Sequence, residues 1–217
     1  MRIQSTPAPL LRRPVGEVAR AAWSRAKPKV RIDEEHVWLV RDLDELPELP
    51  LPAGSELRRA TVGDLDLAAD AGRDPELVQR YVEAGHELWM LVHDGRAAFS
   101  AWIFHGSAPA IAARDGWFEL PAGVACMEDS LTHPDYRGRG FAPAAGLGIF
   151  RAVRESGVVQ VVTKIETSNG SSRRAAAKAG FREVATMRFK RVGPRRRTSL
   201  SDVRGDVGGQ LASALER

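Results

Sequence analysis

Between Ser130 and Ala145 the chain reads SLTHPDYRGRGFAPAA, and from Arg137 to Ala142 every position except Phe141 is basic or small. Gly138 and Gly140 let the backbone turn tightly and approach a ligand closely. An apolar stretch precedes this run and a helical pattern follows it, so its N–H groups gather at a helix start. Such groups lack carbonyl partners, and the helix dipole favours an anion beside them. Side chains of Arg137 and Arg139 add charge-assisted donors suited to phosphate. Just upstream, Glu128 and Asp129 lie at the end of the apolar stretch. A carboxylate there can take a proton from a nucleophile. Side chains alternate along a strand, so only one of the two can face a cleft.

Two phosphate-binding motifs fit poorly. A Walker loop needs Lys followed by Ser or Thr after its glycines, and none occurs. A dinucleotide fingerprint belongs directly after the first strand of a βαβ unit, whereas this run comes after several strands. His36, His86, His93 and His105 form no metal-ligand spacing, so no metal is expected. Cys126, in an apolar strand, reads as core rather than nucleophile.

The elements that must position these residues follow from periodicity and punctuation. HVWLV (His36–Val40) predicts a short strand, and Gly16–Ala26 a helix that Pro28 stops. Asp42–Gly54, with three prolines, predicts a linker or an edge-hugging loop. A strand is expected over Glu56–Ala60. Helices follow over Val62–Ala71, with Thr61 and Asp64 in capping positions, and over Pro75–Ala84. Glu87–Phe104 is two apolar runs joined by Asp94-Gly95, a hairpin signal. Further strands are expected near Gly116–Leu120, over Gly123–Thr132, over Gly157–Glu166 and from Phe181 to Val192. Helices fall at Ala142–Glu155 and Ser171–Gly180, with Ser171 and Ser172 as caps. The domain division is an extension over 1–54, a main domain over 55–192, and a basic tail over 193–217 that loses order.

Composition bounds the rest. The chain has 217 residues, a formal net charge of +4 and a single cysteine. It is long enough for a real core, it has no disulfide framework, and it suits a reducing cytoplasm. No apolar run approaches a membrane span. Residues 2–31 carry eight Lys or Arg against Glu17, and residues 188–197 carry six and no acid. Without zinc-finger spacing or aromatic interleaving, these basic stretches read as solvated rather than nucleic-acid-binding.

Arg137-Gly138-Arg139-Gly140-Phe141-Ala142, preceded by EDSLTHPDYRG, resembles the acyl-CoA-binding core of the GNAT N-acetyltransferase superfamily. Asn169 and the later Lys178-Ala179-Gly180-Phe181 match its second element, and the resemblance covers Glu56 to Val192. It implies an α+β fold, with a central mixed twisted sheet flanked by helices. It also implies direct transfer of an acyl group, acetyl by default, from acetyl-CoA or a longer acyl-CoA to an amine on a small molecule or protein. The N–H groups of Arg137, Gly138, Arg139, Gly140, Phe141 and Ala142 would then hold the pyrophosphate. Leu131 and Thr132 would pair with the pantetheine arm, and Asn169 would contact it. Asp64–Gly85 and His105–Phe118 would set the acceptor, with Arg73, Arg80 and Arg114 favouring an acidic one. The resemblance also implies a carboxylate near the thioester that deprotonates the amine, with Glu128 preferred to Asp129 and Glu119 and His133 the remaining candidates. Many family members carry a tyrosine, a candidate general acid toward the leaving thiolate, where this chain has Ala176. That departure raises the alternative of an acyl-CoA-binding module without turnover. The extension would pack against the sheet, cover the acceptor site or form part of a homodimer.

Overall fold

The computed structural model describes residues 31–113 and 116–215. The predicted helix over Gly16–Ala26 and the residue Arg114 lie outside the described residues. In chain order the elements are β1 (Arg31–Asp42), β2 (Ser55–Arg59), α1 (Leu65–Asp70), α2 (Pro75–Glu83), β3 (Glu87–His93), β4 (Arg96–His105), β5 (Ser107–Pro109), β6 (Trp117–Glu119), β7 (Val124–Thr132), α3 (Phe141–Glu155), β8 (Gln160–Glu166), α4 (Gly170–Lys178), β9 (Arg182–Val192), β10 (Arg195–Ser201) and α5 (Gly205–Leu215). Eight strands form one mixed sheet in the order β10-β9-β1-β8-β7-β4-β3-β2, and β5 and β6 form a separate hairpin. Neighbours are antiparallel except β7 and β8, which run parallel.

Alternation along the strands divides the core into two layers. Trp38, Met90, Trp102, Phe104 and Cys126 face one side, where α1, α2, α5 and the β5–β6 hairpin cover them. Leu39, Leu91, Ile103, Ala125 and Val161 face the other, under α3 and Phe181. Helix α3 buries Phe141, Ala145, Ile149 and Val153, a stripe spaced by four. At Gly148 a Cβ would clash with the Leu57 side chain, so the helix rests closely on β2.

The expected caps of the first two helices and the glycine stop after α4 are present. Thr61 and Asp64 form a reciprocal capping box at the 3-10 turn (Val62–Asp64) that leads into α1. Pro75 opens α2 behind Asp74, and α4 ends at Gly180, with φ of 83°.

Two expectations need correction. The strand read as HVWLV runs for twelve residues, and it lies inside the sheet, paired on both sides, rather than in an appended segment. Trp38 and Val40 are fully buried on one face and Val37 and Leu39 nearly so on the other, which is why the run is continuously apolar. The tail expected to lose order carries a strand and a helix among its described residues. β10 pairs with β9 through seven residues, and Thr198 donates its hydroxyl to the Ala112 carbonyl at 3.1 Å. In α5, Val207, Leu211 and Leu215 repeat every four residues and are buried. The glycines among them disguise that stripe.

Candidate active site

The site begins where two parallel strands part. β7 and β8 pair only at Val124–Gln160, Ala125–Val161 and Cys126–Val162. β7 continues to Thr132 on β4, and β8 continues to Glu166 on β1. Between them a wedge opens, its vertex at Cys126–Val162. Beyond the vertex the inner edge of β7 presents backbone donors and acceptors to whatever extended group enters.

A bulge sets the direction of β7. Ser100 pairs with Leu131 and Trp102 with Glu128, so two β4 steps oppose three on β7. The extra residue lies at Asp129, which has a left-handed φ of 54°. Arg73, in the turn between α1 and α2 and only 4% exposed, holds this point. It donates to the Asp129 carboxylate at 2.9 Å and to the Asp129 carbonyl, and to the Ser100 hydroxyl and carbonyl, each at 3.1 Å. A buried guanidinium with these partners is not available to an acidic acceptor, which corrects the expectation for Arg73. Arg80 is exposed beside the Tyr81 ring.

Glu128 lies two residues past the vertex on β7 and is buried on the face shared with Trp102 and Cys126. Lys164, two residues past the vertex on β8, reaches across the wedge. Its ammonium is 2.6 Å from Glu128 Oε1, donates to the Pro109 carbonyl at 3.2 Å, and lies 5.4 Å from the Trp38 ring centroid. The Cys126 thiol donates to Glu128 Oε1 at 3.4 Å. Burial pushes that thiol well above its usual range, and the Glu128 charge adds to the effect. It is a core thiol, as its sequence context suggests. Of the other base candidates, Glu119 is exposed on β6. The His133 ring accepts from the Asp135 N–H at 3.3 Å and meets Arg96 at 2.9 Å, so it braces the turn after β7.

At the wedge's outer end that turn (Pro134–Tyr136) leads into the glycine run. Gly138 and Gly140 have φ of 72° and 82°, and nothing lies within 4 Å of a Cβ built on either. The glycines therefore serve backbone conformation and leave open space for a ligand. The Arg137 N–H already bonds the Pro134 carbonyl at 3.3 Å, which removes it from the expected donors. The first intrahelical bond to this cap runs from Ala144 to Gly140, and Pro143 has no N–H. Phe141 and Ala142 thus supply the early donors of α3. The Phe141 side chain is buried against His93 and Tyr136, with centroids 5.0 Å from each, and it anchors the helix start. Arg137 and Arg139 are exposed on the loop.

Asn169 is the N-cap of α4, and its Oδ1 accepts from the Ser172 N–H at 3.1 Å. Asn169, not Ser171 or Ser172, is therefore the cap. Ala176 is half-buried against the core layer under α3 and α4.

The face carrying Glu128 and Lys164 is roofed by α1, α2 and the β5–β6 hairpin, the segments expected to set the acceptor. Tyr81, His86, Trp102, Phe104 and Trp117 form an aromatic cluster there. Tyr81 packs edge-on to Trp102 at 5.3 Å, and His86 stacks on Trp117 at 5.1 Å. Burial, and secondly the charge of His105, holds His86 below its usual range.

The family model described as acetyltransferase (GNAT) domain matches residues 56–182. No curated protein sequence matches significantly. Among solved structures, the chain is similar to a GNAT acetyltransferase from Sphaerobacter thermophilus at 17% identity and a TM-score of 0.52, covering 85% of this chain and 56% of that one. A GNAT-family acetyltransferase structure from Novosphingobium aromaticivorans has 20% identity and a TM-score of 0.52, with 75% and 67% covered. A third, from Kribbella flavida, has 14% identity and a TM-score of 0.51, with 82% and 64% covered. At these identities the likeness concerns the fold, and this chain spans little more than half of the first relative's length.

Proposed function

The chain belongs to the acetyltransferase (GNAT) domain family, and on that premise we propose that it transfers an acyl group, acetyl by family default, from acyl-CoA to an amine in the cytoplasm. One observation carries the reading: the wedge between β7 and β8 has a helix start with early N–H donors at its outer end and a buried carboxylate just past its vertex.

In this reading the N–H groups of Gly138 to Ala142 hold the pyrophosphate, with Arg137 and Arg139 beside it. Backbone groups of Leu131 and Thr132 pair with the pantetheine arm. Asn169 uses its oxygen as a cap and offers its amide NH₂ to the same arm. Glu128 takes the proton of the attacking amine. Asp129 shapes the bulge, because Arg73 holds its carboxylate. A strand N–H stabilises the developing oxyanion, and holding both substrates together supplies much of the rate. The amine enters between α2 and the β5–β6 hairpin, past an aromatic wall that suits an apolar or aromatic acceptor. No described helix is long and apolar enough to cross a membrane.

Thiol release from acetyl-CoA, measured over a panel of primary amines, tests this. We expect amine-dependent release, and a fall of about 100-fold in kcat for Glu128→Gln with unchanged acetyl-CoA affinity. Ala176 favours a second reading, an acyl-CoA-binding module. Tight binding with no release on any amine would select it.

A further inference from the structure

Ala176 stands where the resemblance implies a tyrosine acid, yet a cation stands just past the wedge vertex. Lys164 and Glu128 each lie two residues past the last paired position, on opposite strands and the same face. Their side chains are 12% and 5% exposed. An arm that enters at the pyrophosphate loop and runs inward past Thr132 and Leu131 brings its thioester to this pair. An ammonium has three donors. Among the described residues two of them are used, toward Glu128 and the Pro109 carbonyl. The Trp38 ring holds the ammonium from the side.

We propose that Lys164 donates the proton that the departing thiolate needs, and that Glu128 recharges it. This rests on the acyl-transfer reading above. The neutral amine forms the new C–N bond, the C–S bond breaks, and its electron pair goes to sulfur. The surplus proton on nitrogen passes to Glu128, and sulfur takes a proton from the Lys164 ammonium. The proton on Glu128 then crosses the 2.6 Å contact to Lys164, which restores the ion pair. The sum is amine plus thioester giving amide plus thiol, with no proton left over. Alkylammonium and phenol groups titrate in water at about 10.4 and about 10, so an ammonium is a chemically reasonable substitute for a tyrosine.

The test separates proton donation from charge. Lys164→Arg keeps the cation but not the transferable proton, and kcat with acetyl-CoA should fall about 100-fold while the melting temperature stays close to wild type. Lys164→Ala should lose a similar factor and regain at least about tenfold of it, reaching about a tenth of the wild-type rate, with trimethylammonium. Tetramethylammonium has the same charge but no N–H, and it should give no rescue. Rescue by both ions, rescue by neither, or a fully active Lys164→Arg overturns the inference. So does acetylation of Lys164 itself, read by peptide mass mapping after incubation with acetyl-CoA. Wild-type turnover with any of these results contradicts the inference alone. Wild-type binding of acetyl-CoA without turnover contradicts the acyl-transfer reading and this inference with it.

Discussion

Arg73 places four hydrogen bonds around one irregular point of a strand. Removing it would leave the Ser100 and Asp129 carbonyls without these donors and release a residue from left-handed φ. We expect Arg73→Met to cost about 3–5 kcal/mol, the range for breaking a buried pair, measured by urea denaturation. Arg73→Lys should not restore it, because an ammonium cannot reproduce the fork. At His86 the physics is titration. Its folded value lies below the ordinary histidine value, so the unfolded chain binds more protons near pH 6. The contribution of the neutral ring is therefore complete above about 6.5, and it is lost as pH falls from there toward the folded value. A melting-temperature profile between pH 7.5 and 5 should flatten in His86→Phe relative to wild type.

At the scale of elements, much was legible because it is local. Thr61 with Asp64, Pro75 before α2, Gly180 after α4, and Asp94-Gly95 between β3 and β4 each fix backbone geometry within a few residues. The glycine run at 138–140 was readable for the same reason. What was not legible depends on distant partners. The pairing of β1 with β8 and β9 joins residues more than a hundred positions apart; its continuous apolar run signals burial on both faces but not which strands flank it. The β7 bulge, and Arg73 holding it from another element, are hidden in the same way. Lys164 is one of several polar residues in the strand expected over Gly157–Glu166, and only the wedge shows what it reaches. Because Trp38 is fully buried and supports Lys164, Trp38→Ala should cost about 3–5 kcal/mol, measured by chemical denaturation. Thr61→Ala, at an exposed cap, should cost about 1 kcal/mol by the same method.

The whole molecule is a sheet pulled apart along one seam. β2, β3, β4 and β7 lie on one side of it. On the other lie β8, β1, β9 and β10, and the last three of these extend partly or wholly beyond the matched residues 56–182. A ligand seated in the seam touches both halves, so it stabilises the assembled sheet. Acetyl-CoA at 100 times its dissociation constant should add about 2.7 kcal/mol by mass action, visible as a rise in melting temperature that grows with ligand concentration. The central claim is that the anion-binding start of α3 receives the pyrophosphate. Calorimetric titration of acetyl-CoA into wild type, Gly140→Ala and Gly140→Glu tests it most directly. Both variants carry the same left-handed strain, about 1–2 kcal/mol, and should lose similar thermal stability. Gly140→Ala should still bind acetyl-CoA, whereas Gly140→Glu should weaken binding by about 100-fold, or about 2.7 kcal/mol, because a carboxylate then meets the phosphates. Equal affinity in wild type and Gly140→Glu would contradict the account.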